Sequence, residues 1–216
     1  MKRLAPAVAI ISALALAACR TTAPRPHETG AAASSGGTLA TFECPVKIPA
    51  REIIIVRHAD RDKDNDTHAK HTGNSDYDSL TSEGWARVAA LAAAVKGDGV
   101  TRIVATTTLR TQQTAYGVES DLAKAGHTPF LDFASLAHSS DAAAITRRLE
   151  AAQPNDVVLV ICHHEYVPGI IHDLGGPIVA DINDAEYDRL YTLKRSAADS
   201  SQWTLAEKSF GAPFAH

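Results

Sequence analysis

The chain has 216 residues, of which 45% are hydrophobic, a composition that suits one globular domain with a sizeable core. Its 21 lysines and arginines stand against 25 aspartates and glutamates, which gives a net charge of -4. A mildly acidic protein has no overall attraction to polyanions. The composition therefore argues against a nucleic-acid partner, and any phosphate has to be bound locally.

The first 18 residues have the pattern of a secretory signal peptide. Two basic residues precede an apolar run that ends at Ala18 and is too short to span a bilayer. The run continues into Cys19 in a Leu-Ala-Ala-Cys sequence that resembles a bacterial lipobox, which implies cleavage before Cys19 and lipidation of its sulfur. An ordinary signal peptide followed by a chance cysteine is the alternative. Lipidation would anchor the protein to a membrane of the cell envelope, facing the periplasm.

Residues 19–48 are predicted to be a flexible tether, because they are rich in Pro, Gly, Ser and Ala and lack apolar periodicity. The folded domain is predicted over residues 49–216. Cys44 precedes the first strand of this domain, whereas Cys162 ends another strand. These positions lie at opposite ends of a parallel sheet, so we expect no disulfide between them.

The first predicted strand of the domain contains four successive β-branched residues, Ile53–Val56, which is typical of a strand buried on both faces of a parallel sheet. Arg57 and His58 follow at its carboxyl end. A surface pair that merely ends the strand is the alternative. The next loop, residues 62–79, begins like a calcium-binding loop but lacks the required Gly and Glu, which favours a solvated loop beside a pocket.

The rest of the chain alternates helices with strands. Helices are predicted over residues 81–95, from about 107, and over 139–152 and 168–175. Strands are predicted over residues 101–106, 128–133 and 157–161, with a terminal antiparallel pair over 187–193 and 203–206. This order predicts a three-layer α/β/α fold with a mostly parallel central sheet.

Three of these strands are followed by residues that bind phosphate well. Arg57 and His58 follow the first strand, Arg110 follows the second, and His163 follows the strand over 157–161. Open α/β sheets bind ligands at the carboxyl ends of their strands. Arg110 opens a helix, where a cation is unfavourable unless an anion is bound beside it. The four residues predict a pocket for a phosphate dianion with a nucleophilic imidazole inside it.

The chain resembles the histidine phosphatase superfamily, also called phosphoglycerate-mutase-like, from about Ile53 to Leu193. The motifs that carry the resemblance are Arg57-His58-Ala59, Leu80-Thr81-x-x-Gly84, Leu109-Arg110-x-x-Gln113-Thr114-Ala115 and the second strand-end histidine, His163. Together with the lipobox and the short chain, they resemble exported bacterial members and the short phosphohistidine phosphatases.

The resemblance implies a metal-independent phosphatase without a cofactor. Neutral His58 would attack phosphorus and become a phosphohistidine, which water then hydrolyses. Arg57, Arg110 and a protonated His163 would hold the phosphoryl oxygens. Arg61 is a further candidate for binding substrate. The expected partners are a small phosphorylated substrate or a phosphoprotein, and a membrane through the lipid anchor.

The proton donor for the leaving group stays unassigned. Many members carry an acidic residue soon after the third strand, but the matching position here is His138. Asp132 and Glu165 are the other candidates. Without a strong donor, substrates with good leaving groups such as phosphohistidine, acyl phosphates or pyrophosphates are favoured.

Two functions of other classes stay open. A metal-dependent hydrolase would use His163 and His164 with the loop that holds His68 and His71, although no complete ligand set is present. A non-catalytic envelope lipoprotein would bind phosphorylated ligands without turnover. A mutase is less favoured, since an exported domain would lack the diphosphorylated sugar acid that primes it.

Overall fold

The structure is a computed structural model that describes residues 41–43, 46–62, 77–134, 142–196 and 201–212. Within them the chain forms seven strands, β1 Thr41–Glu43, β2 Glu52–Arg57, β3 Arg102–Thr106, β4 Phe130–Ala134, β5 Val157–Cys162, β6 Arg189–Arg195 and β7 Gln202–Ser209. The same residues contain four α-helices, α1 Ser82–Val95, α2 Leu109–Lys124, α3 Ala142–Leu149 and α4 Val167–Asp173.

The strands form one sheet in the order β1-β7-β6-β2-β5-β3-β4. Strands β2, β5, β3 and β4 are mutually parallel, whereas β6, β7 and β1 join antiparallel to their neighbours. The predicted three-layer α/β/α fold with a mostly parallel central sheet is confirmed, and so is the terminal antiparallel pair. Because the four central strands share one direction, their carboxyl ends meet at one edge of the sheet.

The sheet separates two apolar layers. On one face Ile54, Val56 and Ile161 pack against α1 and α2, and on the other Ile53 and Val160 pack against α3 and α4. Successive side chains of a strand point to opposite faces, so an unbroken run of apolar residues fills both layers at once. This burial holds the strand ends in place, and with them the side chains that follow.

Residues before 49 contribute to the sheet and to its core. Strand β1, Thr41–Glu43, lies inside the range predicted as a tether and pairs with β7, and Ile48 is buried in the core. The compact unit that contains the sheet begins at Thr38. A three-residue edge strand leaves little periodicity to detect in the sequence, and the domain range 49–216 stays a prediction.

Several predictions about the N-terminal region and the cysteines stay outside what the structure describes. The predicted signal peptide over 1–18, Cys19 and Cys44 all lie outside the described residues. Cys162 is a buried free thiol, and burial raises its pKa. Within the described part of the chain, no helix combines the length and apolarity that a membrane span requires.

Candidate active site

Four side chains predicted to form the pocket meet at the carboxyl edge of the parallel strands. Arg57 ends β2 and His58 follows it, His163 follows β5, and Arg110 lies in the first turn of α2, just after β3. All four are buried. The ring centres of His58 and His163 are 5.3 Å apart, and the guanidinium of Arg110 bridges the two rings. The edge therefore carries two imidazoles that the Arg110 guanidinium bridges, and the charge of Arg57 acts on both of them.

His58 is held in one tautomer. Its Nδ1 lies 2.8 Å from the carbonyl oxygen of Ala59, which can only accept, so Nδ1 carries the proton. Nε2 therefore keeps its lone pair and accepts a hydrogen bond from Arg110 Nε at 3.2 Å. Burial, and then the charges of Arg110 and Arg57, lower the pKa of His58 well below its usual value. His58 is thus neutral, with a basic nitrogen available as a nucleophile.

His163 is also neutral among the contacts that the structure shows, and its protonated state beside a phosphoryl group stays a prediction. Arg110 Nη2 donates to its Nδ1 at 3.2 Å, so Nε2 carries the proton and donates to the hydroxyl of Thr106 at 3.2 Å. Thr106 in turn donates to Thr111 Oγ1 at 2.9 Å. Burial first, and then the charge of Arg110, lower the pKa of His163 to about 3. The sequence alone gave no measure of this burial.

The two remaining motifs hold the loop that carries His58. Gly84 packs so closely that a Cβ atom on it would lie 2.2 Å from the carbonyl oxygen of Asp60. The hydroxyl of Thr114 accepts a hydrogen bond from Ala59 N at 3.1 Å. The side chain of Gln113 accepts one from Leu80 N at 2.8 Å. These residue types therefore fix the backbone at residues 59–60 and at Leu80, all of which precede α1, and with it the position of His58.

The side chain of Arg57 extends towards residues 183–187, the segment that precedes β6. Its Nη1 donates to the carbonyl oxygens of Asn183, Asp184 and Glu186, and its Nη2 donates to Asp184 Oδ1 at 2.7 Å. The guanidinium carbon lies 3.8 Å from the ring centre of Tyr187. Sequence reasoning missed Asp184 and Tyr187, because their proximity depends on β6 pairing with β2.

The predicted substrate-binding residue Arg61 lies at the margin of the site. It forms an ion pair with Asp78 at 2.5 Å, and its charge contributes to the lowered pKa of His163. Next to it, Asp60 is bound through both carboxylate oxygens by Arg87. Nothing in the sequence pattern singles out Asp60 or Arg87 beyond their places after His58 and in α1. These pairs hold the backbone segment that follows His58.

The three candidate proton donors differ in position. Asp132 lies within β4, and its carboxylate is bound by Arg102 and Arg148 at 3.2 Å each. Glu165 is exposed and pairs with His164 at 3.1 Å. His138 lies outside the described residues. The described candidates therefore have partners other than the two pocket histidines.

The described residues contain no group of three or more His, Cys, Asp or Glu side chains that could hold a metal ion. Both ring nitrogens of His163 are engaged, by Arg110 and Thr106, and His164 pairs with Glu165. The predicted loop histidines, His68 and His71, lie outside the described residues.

Part of the sequence matches a known family model, and the fold matches known structures. The family model of the histidine phosphatase superfamily, branch 1, matches residues 53–129, the part that contains Arg57, His58 and Arg110. Among solved structures, the protein histidine phosphatase SixA complexed with tungstate is similar with a TM-score of 0.55 and 18% identity, covering 73% of this chain and 96% of its own. The search of curated proteins found no match.

A second solved structure, the putative phosphohistidine phosphatase SixA from Nakamurella multipartitia, is similar with a TM-score of 0.52 and 17% identity. The match covers 76% of this chain and 97% of that one. At these identities the likeness establishes the fold. The chain therefore has the phosphoglycerate-mutase-like fold with SixA-like structural neighbours.

Proposed function

We propose that the protein is a metal-independent phosphatase that forms a phosphohistidine on His58, a phosphoric monoester hydrolase by reaction class. One observation carries the proposal. The buried imidazole of His58 is locked with its proton on Nδ1, and its Nε2 lone pair lies against the guanidinium of Arg110. A neutral imidazole beside permanent cations can both attack phosphorus and receive the negative charge of a phosphoryl group.

In the proposed reaction, a phosphoryl group enters beside His58, and Arg110 transfers its hydrogen bonds from the two imidazoles to phosphoryl oxygens. Nε2 of His58 attacks phosphorus in line, and the bond to the leaving group breaks with its electron pair on the leaving atom. Water then attacks the phosphohistidine, which releases phosphate and restores His58. A phosphate dianion opposes the arginine charges that lower the pKa of His163, so His163 gains a proton when substrate binds.

The leaving group defines the substrate class. Asp132 is bound by two arginines, and Glu165 is exposed and paired with His164. A substrate whose leaving group needs little protonation suits this environment, which favours phosphohistidine, acyl phosphates or phosphoanhydrides over simple alkyl esters. One SixA structure is that of a protein histidine phosphatase and the other is described as a putative phosphohistidine phosphatase, which supports a phosphohistidine-type substrate on a small molecule or a phosphoprotein.

We place the protein in the cell envelope, tethered through lipidated Cys19 and facing the periplasm. The Leu-Ala-Ala-Cys sequence after an apolar run supports this location. Metabolic labelling with a fatty acid in a bacterial host tests it. Label is expected on the wild-type chain and absent from Cys19→Ser. Equal labelling of the two chains would overturn the assignment.

The activity is tested by hydrolysis of an aryl phosphate, with and without a chelator, by wild type and by His58→Ala. We expect activity that resists chelation and falls by about 1,000-fold or more in His58→Ala. A matched control is His172→Ala, because His172 is exposed and lies on α4. Denatured protein from a rapid-quench reaction should carry acid-labile, alkali-stable phosphate on His58.

Two other outcomes of this assay would support the alternative functions. Activity that chelation removes but His58→Ala retains would point to a metal-dependent hydrolase using His163 and His164. Phosphate binding without turnover of aryl, acyl or phosphohistidine substrates would favour a non-catalytic lipoprotein that binds phosphorylated ligands. Either result would overturn the proposed reaction.

A further inference from the structure

The segment 183–187, here named the Arg57 clamp, surrounds one end of the Arg57 guanidinium. Carbonyl oxygens of Asn183, Asp184 and Glu186 accept hydrogen bonds from Nη1 at 3.3, 2.7 and 3.0 Å. The carboxylate of Asp184 accepts from Nη2. Backbone carbonyls and a carboxylate together satisfy the charge and the donors of that end. The far end of Arg57 is therefore fixed in position.

The clamp is itself a braced turn. Asn183 Oδ1 accepts a hydrogen bond from Ala185 N at 2.9 Å, and Glu186 N donates to the carbonyl oxygen of Asn183 at 2.9 Å. Glu186 is held in turn by an ion pair with Arg189, the first residue of β6. Because β6 pairs directly with β2, the sheet sets the distance between the clamp and Arg57. The position of the turn relative to Arg57 is therefore fixed by the pairing of β6 with β2.

Tyr187 connects the clamp to the nucleophile. Its buried ring stacks on the Arg57 guanidinium at 3.8 Å and meets the His58 ring edge to face, with centres 5.8 Å apart. A flat ring over a guanidinium fixes the plane of that group and attracts its charge. One side chain thus orients both the cation and the imidazole beside it.

The contacts leave the other edge of Arg57 available. Among the described residues, none accepts a hydrogen bond from Arg57 Nε, although this atom is buried. Buried donors are nearly always paired, so an unpaired one in a cationic pocket indicates a place for an anion oxygen. The clamp binds Nη1 and one of the two hydrogens of Nη2. The edge formed by Nε and the other Nη2 hydrogen can therefore donate two parallel hydrogen bonds to two phosphoryl oxygens.

We propose that Asp184 and Tyr187 are positioning residues that hold Arg57 with its Nε edge free for the phosphoryl group. The proposal rests on the phosphatase function proposed above. Neither residue touches the phosphoryl group. They act through Arg57, and Tyr187 also acts through the plane of His58.

The test compares pairs of variants by their affinity for inorganic phosphate, measured by calorimetry on the full chain purified in detergent, and by kcat and KM for an aryl phosphate. Tyr187→Leu removes the ring, whereas Tyr187→Phe keeps it. Asp184→Ala removes the acceptor, whereas Asp184→Asn keeps a carbonyl oxygen. We expect Leu and Ala to weaken phosphate binding by about 5- to 30-fold, and Phe and Asn to restore most of it.

Asp181→Ala is the matched control, since it removes an exposed carboxylate just before the clamp. It should leave the phosphate affinity within about twofold of wild type. Tighter phosphate binding in Asp184→Ala would show that Asp184 competes with phosphate for Arg57 and would overturn the proposal. Unchanged affinity in Asp184→Ala would overturn it too. If Tyr187→Leu does not fold, the Asp184 pair decides alone.

The two proposals fail in different ways. Wild-type protein that binds phosphate but hydrolyses nothing overturns the phosphatase function, while the variant affinities still decide the clamp. Normal turnover with the same phosphate affinity in all four variants overturns the clamp and leaves the phosphatase function standing. Wild-type protein that binds no phosphate overturns both.

Discussion

Each of the two edges of the sheet contains an arginine stacked on an aromatic ring. The surroundings of the two arginines differ, and the difference shows which features an anion-binding site needs. At the carboxyl edge, Arg57 lies 3.8 Å from the Tyr187 ring and donates to backbone carbonyls. At the amino edge, Arg195 lies 4.5 Å from the Trp203 ring, and its Nε and Nη2 donate to the carbonyl oxygens of Ala50 and Ile48. The packing chemistry is the same at both edges.

The difference lies in what each arginine leaves unpaired and in what lies beside it. Arg195 uses its Nε to hold the chain before β2, whereas no described residue accepts from the Nε of Arg57. Arg57 is also followed directly by His58, whose pKa its charge helps to lower. An arginine with all edges bound stabilises the fold. One with a free edge beside a neutral imidazole can bind an anion.

The largest expected effect separates the two arginines. Arg57→Ala should lower kcat/KM by about 100- to 1,000-fold, because it removes the cation that we propose binds the phosphoryl group. Arg195→Ala should leave kcat/KM within about twofold but lower the free energy of unfolding by about 1–3 kcal/mol, because carbonyl hydrogen bonds and a ring contact are lost. Steady-state kinetics and urea unfolding measure the two. If the two substitutions lowered kcat/KM equally, the proposed functional difference between the two arginines would be wrong.

The backbone offers a second comparison, between the two ends of α1. Gly84 lies at the carboxyl edge, where an added Cβ would meet the Asp60 carbonyl oxygen at 2.2 Å, while an added Cβ on Gly97 would meet nothing within 4 Å. Gly84→Ala should destabilise the protein by about 3 kcal/mol and reduce turnover, since the His58 loop has to shift. Gly97→Ala should be neutral or slightly stabilising. Thermal unfolding tests the pair, and equal melting temperatures would contradict it.

The pH dependence follows from the two neutral histidines. Their folded-state pKa values lie below the usual 6.5, near 3 for His163, so the unfolded chain binds more protons between those values. Stability should therefore be complete above about pH 6.5 and decline as the pH falls towards 3, by up to about 1.4 kcal/mol per unit for each histidine. Urea unfolding at several pH values measures this slope.

The pH dependence of activity should also distinguish Arg57 from Arg195. The Arg57 charge lowers the pKa of His58, so Arg57→Ala should raise that pKa and move the acid limb of kcat/KM to higher pH. Arg195→Ala should leave the limb where it is. A pH profile that is identical in wild type and Arg57→Ala would contradict the electrostatic role assigned to Arg57.

The smallest effect is expected at Asp132. Its carboxylate is already bound by Arg102 and Arg148 within the sheet, so Asp132→Asn should change kcat on an aryl phosphate by less than about twofold. A large fall in kcat with an alkyl phosphate, but not with an acyl phosphate, would identify Asp132 as the proton donor and contradict this expectation.

Much of the site could be predicted because its signals are local. The run Ile53–Val56 indicates a strand buried on both faces, and parallel strands bring Arg57, His58 and His163 to one edge by geometry alone. Arg110 follows the same rule through the first turn of a helix. Residue identity and strand order were sufficient to assemble these four side chains.

The remaining features depend on contacts between distant parts of the chain and on burial. The place of β1 in the sheet depends on its pairing with β7, where Thr41 lies opposite the distant Thr204. The clamp around Arg57 depends on β6 lying beside β2. The neutral state of His163 depends on the water that the surrounding layers exclude. The sequence by itself determined which groups meet at the edge, because each buried strand is followed by its own site residue and the helices between the strands make them parallel. Only the tertiary structure decided the protonation state of the histidines, because it depends on desolvation. Only the tertiary structure decided which residues hold Arg57, because these contacts depend on long-range strand pairing.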